Sequence, residues 1–297
     1  MLRMKFEPWI SVGGTLCENP LWDERFRRVL WTDIDSGRVF SCALDSTVPD
    51  LLYHGPCVGG FTMQADGSLL LFRESDVCRL AEDGSVSKLF DFHHAGSKRF
   101  NDVAADPMGR VLAGTIGRGG GSGGLFLFER DGSNRMVADG TDCSNGLGFS
   151  PDGSTLYWTC STRRVIFAFD YESAGGSIAN RRIFATSGED DGIPDGLAVD
   201  EEGNVYSARW GASVSGVVVY DPRGREILRI PQPAKAVTSL CFAGSDLDCI
   251  VATVASHEGE TSRTHDLFRI LGFNPRGLPE KRSSLQAPGE KRGLARS

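Results

Sequence analysis

One strand-forming motif returns six times along this 297-residue chain, and this repeat restricts the possible folds more than any other feature. Each copy is a short run of β-branched and aromatic residues next to an Asp/Gly-type turn, which is typical of a β-strand. The central residues of the copies are Trp31, Leu70, Leu112, Tyr157, Tyr206 and Val251, at spacings of 39, 42, 45, 49 and 45 residues. Spacings of this size are typical of propeller blades, so six copies predict six blades.

A second strand follows each copy, as in GRVFSCAL (37–44) and GGLFLFER (123–130). We interpret each pair as the inner hairpin of a four-stranded antiparallel blade, with an outer strand such as NRRIFAT (180–186) leading to the next blade. A β-sandwich has similar local turn signals, but the long repeat favours an all-β, six-bladed propeller over residues 1–275. Residues 276–297 are polar and basic, and we predict a disordered tail there.

The net charge of −7, without a basic stripe, argues against a nucleic acid or an anionic membrane as partner. No apolar run reaches the roughly 20 residues of a membrane helix, and the N-terminus lacks a signal-peptide pattern, so we expect a cytoplasmic protein. Eight cysteines are scattered singly, without the spacing of a zinc site, and we expect them to be reduced and mostly buried. These features favour a small molecule as ligand.

Three polar residues lie where innermost strands are expected to begin: Glu18 in CENPLW (17–22), Asn145 in CSNGLGF (143–149) and Asp195 in IPDGLAV (193–199). Innermost strands of a propeller converge on its axis, so these side chains should face one cavity. Two carboxylates and an amide oxygen form an oxygen-only site, which suits one divalent metal ion on the axis, with calcium, magnesium or manganese as natural occupants. Taken singly, each residue is more typical of an ordinary turn, and only their combination indicates a metal.

A fourth segment, SKRFNDV (97–103), precedes the third motif copy in the same way. It places Arg99, Asn101 and Asp102 toward the same cavity, where Arg99 and Asn101 could bind substrate oxygens. The alternative is a solvated loop containing an Asx turn.

Together these segments resemble the SMP-30/gluconolactonase/LRE family, which includes regucalcin, sugar lactonases and luciferin-regenerating enzyme. The resemblance extends from about residue 14 to residue 255 and is carried by CENPLW, KRFNDVAADPMGR, SNGLGFSPDGSTLYWT and IPDGLAVDEEGNVYSARW. It implies that Glu18, Asn145 and Asp195 are metal ligands and that Arg99 and Asn101 bind substrate. It leaves the ion open among calcium, zinc, magnesium, manganese and ferrous iron, of which we favour calcium.

The function that the resemblance implies is that of a metal-dependent hydrolase opening a small lactone. In the mechanism that we predict, the ion polarises the lactone carbonyl and Asp195 takes a proton from the attacking water. No G-x-S-x-G segment indicates a covalent serine route. Two alternatives stay open: a calcium-dependent phosphotriesterase-like hydrolase, and a propeller that binds a metal or small molecule without catalysis.

The chain departs from the family pattern at two places. Many lactonases carry acidic residues where this chain has IGRGGGSGG (116–124), with Arg118, which predicts a pocket for less hydroxylated lactones or for lactones carrying a carboxylate. The alternative is a flexible lid with Arg118 in solvent. The pair Cys160–Ser161 stands where the family often has Asp-Ser, and we expect it to alter the surroundings of the metal ligands.

Overall fold

The computed structural model describes residues 4–211, 215–232, 236–256, 265–272 and 275–287. Within these residues, 24 strands form six antiparallel sheets of four strands each, and the helical segments are two single 3₁₀ turns at Ser161–Arg163 and Glu189–Asp191. Neither of these short helices is long and apolar enough to cross a membrane. The predicted six-bladed, all-β propeller is confirmed.

Each blade is a meander numbered from its innermost strand outward, except that the first strand of the chain, β1 (Lys5–Ile10), belongs to blade 6. Blade 1 contains β2 (Cys17–Asp23), β3 (Arg28–Asp33), β4 (Arg38–Ala43) and β5 (Asp50–His54). Blade 2 contains β6 (Gly60–Met63), β7 (Leu69–Phe72), β8 (Asp76–Leu80) and β9 (Val86–Asp91). Blade 3 contains β10 (Ser97–Ala105), β11 (Val111–Gly117), β12 (Gly123–Phe128) and β13 (Asn134–Thr141).

The other three blades follow the same plan. Blade 4 contains β14 (Ser144–Phe149), β15 (Thr155–Cys160), β16 (Val165–Glu172) and β17 (Ser177–Thr186). Blade 5 contains β18 (Ile193–Val199), β19 (Val205–Trp210), β20 (Gly216–Tyr220) and β21 (Glu226–Pro231). Blade 6 contains β22 (Ala236–Ala243), β23 (Cys249–Ala255) and β24 (Leu267–Leu271), and β1 completes it as the outermost strand.

The repeated motif forms the second strand of each blade, so the predicted inner hairpin lies one position further out than expected. Trp31, for example, lies in β3, while the innermost strand of that blade is β2. Innermost strands crowd around the axis, where β-branched runs do not fit. At Gly146 of β14 a side chain would come within 2.6 Å of the Asp195 carbonyl oxygen of blade 5. The axial strands are therefore rich in glycine and polar residues, and the sequence repeat is weaker there.

The ring is closed by antiparallel pairing of β1 with β24, in which Phe6 lies opposite Ile270. Among the described residues, six apolar clusters fill the six seams between adjacent blades. At the closing seam, Trp9 and Ile10 of β1 pack in one cluster with Trp22 and Trp31 of blade 1. Ring closure therefore buries large apolar side chains as well as pairing backbone groups.

Residues 276–287 do not form the predicted disordered tail. They pack across the face of the ring where the innermost strands end. The Ser283 N–H donates to the Met63 carbonyl oxygen at 2.8 Å, and the Gln64 side-chain amide bonds both the N–H and the carbonyl oxygen of Leu285. Leu285 itself joins the apolar cluster between blades 2 and 3. A polar segment is thus ordered because its backbone groups find partners at the ends of the blades, which composition alone does not reveal.

We call residues 275–287 the strap, because the segment contacts all six blades. Besides its bonds to blade 2, it bonds or packs against Asp23 of blade 1, Gly109 of blade 3, Phe149 of blade 4, Glu201 of blade 5 and Leu247 of blade 6. The rest of the predicted tail, residues 288–297, lies outside the described residues.

Truncation after residue 274 should lower the melting temperature by at least about 5 °C, because it leaves the buried Gln64 amide without partners and exposes the cluster that Leu285 covers. Differential scanning calorimetry measures the shift. A chain truncated after residue 287 is the matched control and should melt like the full chain. Equal melting temperatures for the two truncated chains would contradict a stabilising role of the strap.

Candidate functional site

The predicted ligands meet at the axis, at the face where the innermost strands begin. Glu18 lies on β2, Asn145 on β14 and Asp195 on β18, and their exposed fractions are 7%, 4% and 5%. They come from blades 1, 4 and 5. The charge of Asp195 raises the pKa of Glu18, and the Asn145 side chain lowers that of Asp195, so the three groups are neighbours.

A backbone irregularity positions each of these side chains. The strand register shifts just after Glu18 in β2, just after Asn145 in β14 and around Asp195 in β18. The same shift occurs in β10 around Asn101. A β-bulge leaves a residue out of the regular ladder and re-aims its side chain, so the repeated bulge turns one side chain per strand toward the axis. The sequence pattern predicted which residues face the axis, but it did not predict the β-bulges that orient their side chains.

The site concentrates negative charge. Burial raises the pKa of Glu18 well above its ordinary value, and the charges of Asp195 and Asp102 raise it further, against a lowering by the Arg99 guanidinium. Burial and the charge of Asp102 raise the pKa of Asp195 in the same way. Burial also raises the pKa of Asp102 to about 7. Carboxylates held this close together favour a bound cation.

Two buried oxygen atoms at the axis, Asn145 Oδ1 and Asp195 Oδ1, have no hydrogen-bond donor. Buried acceptors in proteins are normally partnered, so this pair needs an explanation. A divalent cation bound by Glu18, Asn145 and Asp195 would satisfy both atoms and offset the carboxylate charges. The described residues contain no group of three or more His, Cys, Asp or Glu side chains placed to hold a metal, so the fit depends on the amide of Asn145 as third donor.

Arg99 and Asn101 lie beside the carboxylates. Arg99 Nη1 donates to Asn101 Oδ1 at 2.7 Å and to the Phe100 carbonyl oxygen at 2.8 Å. Asn101 Nδ2 donates to the Ser144 carbonyl oxygen at 2.9 Å, which fixes it against the strand of Asn145. All five predicted site residues are therefore brought together by the fold.

Two further residues belong to this region. Asp102, to which the sequence assigned no role, lies beneath the axial carboxylates, where Asn19 Nδ2 donates to its Oδ1 at 3.5 Å. Ser161 accepts from Asn145 Nδ2 at 3.3 Å and donates to the Pro194 carbonyl oxygen at 2.6 Å, so it links the strands of two predicted ligands. Its neighbour Cys160 is buried and contacts Thr141 Oγ1 at 3.1 Å. Ser161, which the chain shares with the family pattern, therefore contacts a predicted ligand directly, whereas Cys160, at which the chain departs from that pattern, contacts Thr141.

Cys143 lies close to the axial carboxylates. Burial, followed by the charge of Asp195, raises the pKa of its thiol to about 12.

On the strap side of Asp102, a cavity of about 110 Å³ extends along the axis, and Glu280 and Lys281 of the strap help to line it. The strap thus lies across one end of the axial space, and the predicted ligands lie at the other end.

Comparison with known proteins gives one consistent result. A family model described as "SMP-30/Gluconolactonase/LRE-like region" matches residues 16–256. The chain is 35% identical to pentonolactonase XacC of Haloferax volcanii, covering 93% of this chain and 97% of that protein, and 30% identical to regucalcin of Xenopus laevis, covering 94% and 98%. A crystal structure of a calcium-binding protein, regucalcin, from Agrobacterium tumefaciens strain C58 has the same fold, with a TM-score of 0.84 and 22% identity over 94% of this chain and 99% of that chain.

Glu18→Gln and Asp195→Asn keep the side-chain shape but each removes one negative charge from the proposed ligands. Both should weaken calcium binding at least tenfold, because a hard cation depends on the charge of its ligands. Isothermal titration calorimetry measures the affinity. Asp83→Asn, in an exposed turn, is the matched control and should bind calcium like the wild type. Unchanged affinity in both axial variants would show that calcium binds elsewhere.

Calcium should raise the melting temperature more at high pH than at low pH. The pKa of Asp102 rises from an ordinary value of 3.8 to about 7 in the folded chain. Between pH 3.8 and about pH 7, the folded chain therefore binds a proton that the unfolded chain has lost. Without calcium, stability therefore falls as the pH rises through this window, and a bound cation offsets the loss. Melting curves from about pH 5 to pH 8, with a chelator or with calcium, measure the difference. A calcium effect independent of pH would contradict this account.

Proposed function

Because the chain belongs to the SMP-30/gluconolactonase/LRE-like family, we propose that it is a metal-dependent hydrolase that opens a small sugar lactone. The observation that carries the proposal is the convergence of Glu18, Asn145 and Asp195, with two unpartnered oxygen atoms, beside the Arg99–Asn101 pair. Similarity to a pentonolactonase over almost the whole chain supports a lactone as substrate.

Glu18, Asn145 and Asp195 would hold one divalent cation. Their donor atoms are all oxygen, which favours calcium over ions that prefer nitrogen or sulfur ligands. When bound, such a cation polarises the lactone carbonyl and stabilises the negative charge that develops on its oxygen.

Arg99 and Asn101 would orient the lactone. The described residues use only Nη1 of Arg99 as a donor, which leaves Nε and Nη2 for substrate oxygens. Asn101 is held by Arg99 and by the Ser144 carbonyl oxygen, so its side chain is already fixed before substrate binds. Such pre-organisation lowers the entropy lost when the substrate is positioned.

Asp195 would act as general base. Burial and the charge of Asp102 raise the pKa of its carboxyl, and binding of the cation would lower it again, which would leave Asp195 ionised and able to accept a proton. Asp195 takes a proton from water as the water oxygen bonds to the carbonyl carbon. The bond from that carbon to the ring oxygen then breaks, and the proton passes to the ring oxygen, which leaves as the hydroxyl group of the hydroxy acid.

We also propose the cytoplasm as the location of this chemistry. The eight cysteines, all within the described residues, form no disulfide with one another, and five of them are buried. A chain with many cysteines and no disulfide among them is typical of a reducing compartment.

Asp195→Asn should lower kcat on pentono- and gluconolactones at least 100-fold, because it removes the proposed base and one ligand charge. Arg99→Ala should mainly raise KM. A panel of lactones, assayed after chelation and after adding back calcium, magnesium, manganese or zinc, measures both effects, with Asp83→Asn as control. Full activity of the chelated protein, or of Asp195→Asn, would contradict the proposal. Turnover of a fluorophosphate alone would favour the phosphotriesterase alternative, and metal binding without any turnover would favour a binding protein.

A further inference from the structure

A cavity of about 360 Å³ opens at the outer part of the face that carries the site, between blades 2 and 3. Its lining includes two cationic side chains, Lys98 and Arg118, together with His93, His94 and the acidic Glu74. We call this space the outer cavity. Its lining includes Arg118, the residue just before the run of glycines at which the chain departs from the family pattern.

The two cations of the outer cavity are not neutralised within the described chain. Neither the Lys98 ammonium group nor the Arg118 guanidinium group forms a hydrogen bond or ion pair with another described residue. By contrast, Arg73 nearby forms a hydrogen bond with Asp76 through Nε at 2.6 Å. Two unpaired cations beside one space attract an anion, and they do so here in a protein whose net charge is −7.

The backbone of the turn that carries Arg118 is held in place, which argues against a flexible lid, while the Arg118 side chain is exposed, as that alternative expects. The Arg118 N–H donates to the Gly96 carbonyl oxygen at 3.0 Å and to Ser122 Oγ at 2.9 Å. The N–H groups of Gly121 and Ser122 donate to the Asp142 carboxylate at 2.9 and 3.2 Å. The backbone that carries the guanidinium is therefore fixed relative to blade 3.

Ser97 and Lys98, the two residues that precede Arg99 in β10, line the outer cavity. Lys98 precedes Arg99 in β10, and Arg118 directly follows Gly117, which pairs with Ser97 at the start of the same strand. The charges of both Arg99 and Glu74 act on the Cys57 thiol, so the thiol is near both the site and the cavity wall. A substituent that extends toward the rim from a lactone held by Arg99 would approach these cations.

Resting on the proposed lactonase function, we propose that the outer cavity binds a carboxylate substituent of the substrate, and that Arg118 and Lys98 determine specificity for acidic lactones. The planar guanidinium group matches the two oxygen atoms of a carboxylate, and the ammonium group adds a second charge. The reacting carbonyl and the carboxylate would then be bound at separate places, the first near the axis and the second at the rim.

The test compares D-glucaro-1,4-lactone with D-glucono-1,4-lactone, which differ only in a terminal carboxylate against a hydroxymethyl group. The double variant Lys98→Ala/Arg118→Ala should lower the ratio of kcat/KM for the acidic lactone to that for the neutral lactone about tenfold. Added salt should lower this ratio in the wild type but not in the variant, because exposed charges are screened. Arg130→Ala, an exposed arginine on the opposite face, is the matched control and should leave the ratio unchanged.

The outcomes separate this inference from the proposed function. Turnover of both lactones with the same ratio in wild type and double variant would overturn the inference and leave the lactonase function intact. If neither lactone is opened, the proposed function fails, and calorimetric titration with D-glucaro-1,4-lactone still tests the cavity. Equal binding by wild type and double variant would then overturn the inference, and weaker binding by the variant would support it.

Discussion

The antiparallel pairing of β1 with β24 closes the ring, and the geometry of the site depends on that closure. Glu18 is separated by more than 120 residues from Asn145 in sequence, yet both lie at the axis because every innermost strand begins at the same face. The entropy lost in closing such a long loop grows slowly with its length, and the apolar seams between blades supply the free energy that offsets it. The strap adds contacts to all six blades at the other face.

The buried carboxyl groups at the axis are unfavourable for the stability of the fold. Three acidic side chains are held there with one arginine nearby, and burial disfavours their charged forms. The surrounding structure fixes them through bulged strands and through bonds such as that from Ser161 to the Pro194 carbonyl oxygen. Local strain of this kind is typical of functional sites, since a site arranged for a bound cation and substrate is not arranged for its own stability.

Charge is divided between the centre and the rim of one face. The carboxylates at the axis suit a cation, while Lys98 and Arg118 at the rim suit an anion. Arg99 is within electrostatic range of both Glu18 and Cys57, and it follows Lys98 directly in β10. A substrate with a reactive carbonyl at one end and a negative charge at the other would match this arrangement.

The sequence by itself determined the number of blades and indicated the five candidate site residues, because strand runs, turn residues and their spacing are local properties. It located the repeated motif one strand too far inward, since crowding at the axis makes innermost strands poor in the residues that mark a strand. Only the tertiary structure decided the closing role of β1, the order of the strap and the place of Asp102 beneath the carboxylates. These features come from pairing between segments far apart in the chain, such as Gln64 with Leu285, and no local pattern records which distant backbone groups will become partners.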